Sequence, residues 1–364
     1  MSAFHLKGFV KTVTPLVQTP MQEGNSGTDT EITRLNVLRD LDTISPKKDG
    51  SMPRMVVSVP IYSGNGFRGL FRRITSSIIF DHFLEQDQFI PMHIGDWFRA
   101  GSGRSSFAVV DLAEKPEGFN TQFAKVLPRD LEYYQQNTNI HSGIFGGGLV
   151  CRGNLSVSDL IAVCEESRPI LPHFSLPETL PNCYSLIGKK FWSRTSLNKY
   201  NDELKWYSEE EVDAYFEKLN ALAEAKAESK KNKDDTDTKT ERLSVQMIGR
   251  YEYIVPNTPL AFQMRLKNAS AAQIGLIVRG FEKFAENPQL GALNRWYFGM
   301  VRMNLQDPEN PQRKITIDPS FGIECQGFDE EKAAFDEWLA NVTMDDLDIA
   351  KTLCKEDKKK KGKK

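Results

Sequence analysis

Apolar and polar positions alternate across Phe4-His5-Leu6-Lys7-Gly8-Phe9-Val10-Lys11-Thr12-Val13, and Thr14-Pro15 stops the run, which predicts an opening β-strand. About Gln18 to Ser51 is polar and rich in turn formers, with Gly24, Asn25, Ser26 and Gly27 and later Pro46-Lys47-Lys48-Asp49-Gly50. It predicts a long loop with one helical turn around Glu31 to Leu38. A second apolar piece, Met55 to Val59, runs into Ser63-Gly64-Asn65-Gly66 and then a helix from Phe67 to about Leu84. Phe67, Leu70, Phe71, Ile74 and Ile78 recur at three- and four-residue spacing and mark its buried face, which leaves Arg68, Arg72 and Thr75 on another side.

Residues 90–106 predict an exposed loop with aromatic and basic content, and Phe107 to Leu112 a strand. Glu132 to Asn139 is expected to be helical or irregular, and the cluster Gly143, Gly146, Gly147 and Gly148 to turn into the alternating Leu149 to Val157. Ser208-Glu209-Glu210-Glu211 has capping-box spacing ahead of a helical stripe of Val212, Tyr215, Phe216 and Leu219. That helix decays into a charged tip over Ala223 to Thr240, and strand-like sequence resumes at Leu243 to Val255. Phe262 to Leu266 predicts another strand. Ser270-Ala271-Ala272-Gln273 opens a helix striped by Ile274, Ile277, Val278, Phe281 and Phe284 and ended by Asn287-Pro288. Phe298 to Leu305 is expected as the last strand, and the seven lysines among Lys355 to Lys364 as a disordered tail. The order predicts an α+β chain: an RRM/ferredoxin-like core, an antiparallel sheet with helices on one face, carrying long insertions. One elaborated domain over 1–305 is expected, with insertions at 18–51, 85–106 and 188–249, then a partly helical extension over 306–354.

Charge changes the picture locally. With 47 basic and 49 acidic residues the net charge is -2, which argues against a protein enclosed on all sides by nucleic acid. Met52 to Phe80 nevertheless holds Arg54, Arg68, Arg72 and Arg73 and no carboxylate. The five cysteines, at 151, 164, 183, 325 and 354, never form C-x-x-C, so neither a disulfide frame nor a zinc site is expected. No apolar run reaches a spanning length of about 18 residues, and residues 1–5 lack the layout of a secretion signal, so a soluble cytoplasmic protein is expected.

Ser63, Gly64, Asn65 and Gly66 place a glycine-rich turn at a helix start, where backbone N–H groups and the helix dipole favour an anion. Arg68, Arg72 and Arg73 can pair phosphates there. It is not a nucleotide P-loop, since no Gly-Lys-Ser/Thr follows, and a simple helix cap with solvated arginines is the competing reading. Gly146 and Gly147 bring backbone close to a ligand or merely make a turn. Trp97, Phe98, Arg99 and Arg104 form a set that can stack bases and hold phosphates. The five histidines show no ligand spacing, so no metal and no cofactor is expected. His93 or His141 as a loop general base, or Asp29 in assisted RNA cleavage, are the enzyme alternatives, each more simply a surface loop residue.

Together these landmarks resemble the RAMP superfamily of CRISPR-associated proteins, specifically the guide-RNA backbone subunits of the Cas-seven type. The resemblance is carried by the strand ending in Thr14-Pro15-Leu16, by Tyr62 to Arg72, and by Ile144-Phe145-Gly146-Gly147 followed by Gly153-Asn154-Leu155-Ser156-Val157-Ser158-Asp159. Further on, Pro256 to Phe262, the Ser270 helix, Leu290-Gly291-Ala292 and Trp296 to Val301 carry it. It spans about Phe4 to Leu305 and is most like type IV effectors, ahead of type III and type I relatives. Departures are the long first loop, the inserted helix after Ser208, and Trp296-Tyr297 where a glycine often sits.

The resemblance implies a non-catalytic subunit that binds a guide CRISPR RNA. It implies stacking head to tail with other copies, partnership with other effector subunits, and a guide presented for pairing with target DNA or RNA. It also implies a projecting β-hairpin within about Gly188 to Gly249, with Lys189, Lys190, Trp192, Arg194, Arg242 and Arg250 near its base. In type III relatives a loop aspartate cuts target RNA; Asp29 lies in the corresponding loop without a matching motif.

Overall fold

The computed structural model describes residues 2–18, 29–40, 54–99, 127–147, 151–194, 208–218, 221, 247–348 and 352. The first half runs β1 (Ser2–Thr12), β2 (Asp29–Thr30), β3 (Arg34–Asp40), β4 (Arg54–Tyr62), α1 (Gly64–Leu84), α2 (Met92–Arg99), α3 (Pro128–Tyr133), a π-helical turn (Tyr134–Thr138) and α4 (Ile140–Phe145). Four short strands follow: β5 (Gly146–Gly147), β6 (Cys151–Arg152), β7 (Leu155–Val157) and β8 (Leu160–Ala162). After them come β9 (Ile187–Arg194), β10 (Met247–Ile254), β11 (Pro259–Ala269), α5 (Ala271–Ala285), β12 (Val301–Gln306), β13 (Lys314–Asp318), β14 (Gly322–Gln326), α6 (Asp329–Asn341) and α7 (Met344–Leu347). The chain divides into two units, one of Met1–Pro20, Glu31–Gly188 and Tyr253–Lys364, the other of Met21–Thr30 and Lys189–Glu252.

The first unit is built on an antiparallel sheet in the order β14-β13-β12-β1-β11-β8-β4-β3, with β7 also on β11. Its centre, β12-β1-β11-β8, is the fourth, first, third and second strand of a βαββαβ unit, with α1 and α5 as the two helices. The expected ferredoxin-like α+β core is present. Period-two alternation makes it: Leu260, Phe262, Met264 and Leu266 of β11 are all buried, as are Val301, Met303 and Leu305 of β12. Those faces meet Phe67 and Phe71 of α1 and Phe281 of α5, with ring centroids 4.8 Å apart for Phe67–Phe262 and 4.5 Å for Phe71–Phe281. Each such ring buried contributes about 2–3 kcal/mol. The other sheet face is covered only in part: Gln263, Arg265 and Lys267 of β11 and Arg302, Asn304 and Gln306 of β12 are exposed on it, while Phe9 is not open. Phe174 stacks on Phe9 at 5.6 Å and lies under Lys7, and Val163, Leu171 and Ala261 form a small second cluster there.

Several local expectations change. Glu31 to Leu38 is no helical turn inside an 18–51 loop: it leads into β3, whose Leu35 and Val37 register with Val59 and Val57 of β4. The partner strand, distant in sequence, supplies the pairing that local composition hides. The 85–106 loop contains α2, because Ile94, Trp97 and Phe98 at helical spacing bury against the core. α1 starts at Gly64, ahead of Phe67, and Thr75 faces inward, fully buried and bonded to the Phe71 carbonyl. β12 is not the last strand, since β13 and β14 extend the sheet and residues 306–348 are part of the fold. The strand expected at 107–112, the charged tip and the lysine tail lie outside the described residues.

In the second unit β9 and β10 are neighbours in a three-stranded sheet, β2-β10-β9; most of the 188–249 span in which a projecting hairpin is expected lies outside the described residues. Ser208 caps the predicted helix by accepting from the Glu211 N–H. The capping box at Ser270 is also observed, with both reciprocal bonds to Gln273 made.

α6 closes over α5 at Gly275, where a Cβ would stand 2.0 Å from the Glu331 carbonyl oxygen and 2.6 Å from Phe335 Cβ. Arg279 reaches across to Asp336 with two hydrogen bonds, and Arg313 pairs with the buried Glu331. Gly275→Ala is therefore expected to destabilise the protein by at least about 1–3 kcal/mol, with amide exchange rising first in α6; chemical denaturation with hydrogen-exchange mass spectrometry measures both.

Candidate nucleic-acid interface

The start of α1 exposes backbone donors because the first turn of any helix lacks internal acceptors. Here the chain itself takes two of them. Ser63 N–H donates to Gln18 Oε1 at 2.5 Å and Gly64 N–H to Asp159 Oδ1 at 2.7 Å. Asp159 thus places a carboxylate on the helix tip, where the dipole favours it. Among the described residues Asn65 and Gly66 have no acceptor for their N–H groups.

Along the flank of α1 lie Arg68 and Arg72, one turn apart, with Arg73 exposed beside them. Arg68 Nη2 donates to the Phe145 carbonyl at 2.6 Å, at the end of α4. The Nε–H groups of Arg68 and Arg72 are buried without an acceptor, and so is the indole N–H of Trp97. Among the described residues no carboxylate pairs with any of the three arginines. Burial pulls the Arg68 guanidinium below its ordinary value; for Arg72 burial leads, and repulsion from Arg68 and Arg73 adds to it. Each buried donor left unpaired costs on the order of 1–3 kcal/mol, which an anion with several acceptor oxygens would recover.

The glycine turn belongs to the same cluster. Gly146 follows the Phe145 carbonyl with φ 78°, and at Gly147 a Cβ would stand 2.2 Å from the Trp97 ring, so only glycine lets the β5 backbone lie against that indole. Sequence spacing did not reveal that Trp97 and Phe98 are core residues rather than base-stacking ones, being 6% and 1% exposed. Phe98 stacks on His141 at 4.4 Å. His141 lies in α4 and not in a loop, and His93 lies on α2, within 3.1 Å of Asp348. His141 Nε2 is 3.0 Å from Ser76 Oγ and 3.3 Å from the Arg72 carbonyl, which also accepts from Ser76 Oγ, so Nε2 carries the hydrogen. Burial lowers its pKa to about 3. Neither histidine lies in a loop: His93 is exposed on a helix and His141 is buried in one.

Of the sequence candidates, Ser63, Gly64, Asn65, Gly66, Arg68, Arg72, Arg73, Gly146 and Gly147 all belong to the first unit, and the Arg68–Phe145 bond joins the two motifs. In the second unit Lys189 pairs with the buried Glu252 at 3.6 Å, Lys190 is exposed beside it, and Arg250 registers opposite Asp29. Asp29 is therefore on a short paired strand rather than in a loop. Asp29, Arg99, Trp192 and Arg194 are placed by backbone alone, and Arg104 and Arg242 lie outside the described residues. Gln18 and Asp159 were missed as contributors: Asp159 ends the quoted Gly153–Asp159 motif, but its bond to Gly64 spans 95 positions. No group of acidic, histidine or cysteine side chains among the described residues could hold a metal ion, and no described helix is long and apolar enough to cross a membrane.

No protein-family profile matches the sequence, and no curated protein is similar to it. Among solved structures, a chain of a "Type IV-B CRISPR Complex" is 14% identical with a TM-score of 0.37, covering 82% of this chain and 88% of its own. A chain of the "Type III-B Cmr-beta bound to cognate target RNA" is 10% identical with a TM-score of 0.33; 87% of this chain aligns, spanning 61% of that one. Likenesses this distant transfer neither fold nor role.

Because His141 is neutral in the fold but protonates near 6.5 when unfolded, its contribution is complete above about pH 6.5 and is lost as pH falls toward 3. Between pH 7 and pH 5 the loss is expected to be about 2 kcal/mol, and His141→Gln flattens that slope in thermal melts recorded against pH.

Proposed function

We propose that the chain is a non-catalytic RNA-binding subunit of a CRISPR-type ribonucleoprotein, of the Cas-seven kind and most like type IV effectors. It holds the guide by its phosphates along the α1 flank. The observation that carries this is the set of buried, acceptor-less guanidinium donors at Arg68 and Arg72, beside exposed Arg73, in a stretch without carboxylates. Phosphate oxygens complete those donors, whereas for stability alone an apolar side chain would serve better at such half-buried positions. Contacts of this type fix the strand but carry no sequence information, so base edges stay free to pair with target DNA or RNA. The sequence motifs that resemble guide-backbone subunits support the same reading, as does the ferredoxin-like core. Lys189, Lys190, Trp192, Arg194, Arg242 and Arg250 are proposed as further contacts of the second unit, and Arg99 and Arg104 of the segment around the end of α2. Other copies and other effector subunits are the proposed protein partners.

Arg72→Met is expected to separate stability from function. Removing a half-buried charge without a partner raises the melting temperature of the free protein and weakens RNA binding for every sequence. Replacing Arg68, Arg72 and Arg73 together lowers the slope of log affinity against log salt by about 2. Unchanged affinity and slope would contradict the phosphate grip. For the assembled protein–guide complex incubated with labelled target RNA and Mg²⁺, Asp29→Ala is expected to leave the product pattern of the parent unaltered; loss of regular cleavage would make Asp29 a nuclease residue.

A further inference from the structure

We infer that the loop carrying Arg295, Trp296 and Tyr297 is a stacking seat for a nucleobase of the strand whose phosphates the α1 arginines hold; this rests on the RNA grip proposed above. The loop between α5 and β12 makes a 3-10 turn over Asn294–Trp296 between Leu293 (φ 64°) and Tyr297 (φ 59°). Both are bulky residues in the left-handed region that glycine occupies freely, so the chain maintains aromatic surface at a position where backbone geometry alone favours none. Trp296 is 53% exposed and Tyr297 77% exposed. Trp296 is braced edge-on by the buried Phe298, with centroids 6.4 Å apart, which fixes one platform.

The loop is tied to the start of α1. The Tyr62 phenol, one residue before Ser63, is buried next to the Gly291 backbone and lies within the field of the Arg73 guanidinium. Ala292 N–H donates to the Val17 carbonyl at 2.9 Å and Gly299 N–H to the Pro15 carbonyl at 2.8 Å, next to the Gln18 that caps Ser63. Residues 287–306 contain two arginines and no carboxylate. Arg302 is paired with Asp318, which leaves the exposed Arg295 as the cation next to the aromatic pair. Two aromatic rings beside a guanidinium complement a base with its adjoining phosphate, and stacking on such rings is tolerant of sequence. A contact with a second protein chain is the competing use of the same surface.

The experiment uses full-length protein with two labelled strands of equal length and charge, a uridine oligomer and an abasic ribose-phosphate oligomer. The parent is expected to prefer the uridine strand. Trp296→Ala with Tyr297→Ala removes that preference, weakening uridine binding about tenfold while the salt slope stays at the parental value. Trp296→Phe retains most of the preference. Parental affinity of the double variant for uridine overturns the seat, and so does unchanged RNA binding with lost self-association, which would assign the loop to protein contact. If the parent binds neither strand, the phosphate grip fails first and the seat with it.

Discussion

α1 cannot bury Phe67 and Phe71 against the sheet without drawing the next residue in each turn into a half-enclosed position. Arg68 and Arg72 each follow an inward phenylalanine by one step around the helix, so their stems lie along the border with α4. Burial removes water from both Nε–H groups, and the neighbourhood returns one carbonyl, that of Phe145. Burial in the same crowded site keeps His141 uncharged, and repulsion from Arg72 adds a smaller share. Protein stability gains nothing from this arrangement, and a ligand with dense negative charge gains a great deal.

The capping by Asp159 refines where such a ligand can run. A carboxylate already sits on the Gly64 N–H, so the dipole at the tip of α1 is partly spent on an internal bond. For the proposed phosphate grip the strongest unshared donors therefore lie one to two turns along the helix, at the arginine flank. Asp159 then acts as a fixed point that holds the β7–β8 turn to α1 while leaving the flank cationic.

Much of this was legible in the sequence where the signal is periodic or local. The β1 alternation, the Ser270 capping box and the apolar stripe of α5 need only neighbouring residues, and each is observed. β3 was not legible because its pairing with β4 comes from residues across a separate polar stretch. α2 was obscured by Gly95, whose weak helix propensity is overridden once Ile94, Trp97 and Phe98 bury together. The arginine and glycine motifs of the candidate site were both visible, yet their junction was not. A side chain from residue 68 meeting the carbonyl of residue 145 is a tertiary fact.

The cover over Phe9 on the sheet's second face narrows the options further. RRM-like sheets commonly meet RNA through aromatic residues on the strands. Here Phe9, the aromatic at the centre of β1, is covered by Phe174, and Lys7 is engaged over the same ring. With the helical face filled by α1 and α5 and Phe9 covered by Phe174 on the other side, flat stacking on the sheet has no room at Phe9. Within the first unit exposed cations remain on the outer sheet face, at Arg265 and Lys267 of β11, and along the border of α1 with α4, where the arginines have no paired carboxylate among the described residues; the proposed grip uses that border. A strand held at such a border touches protein with its backbone and directs most bases outward, the geometry that pairing with a second strand requires.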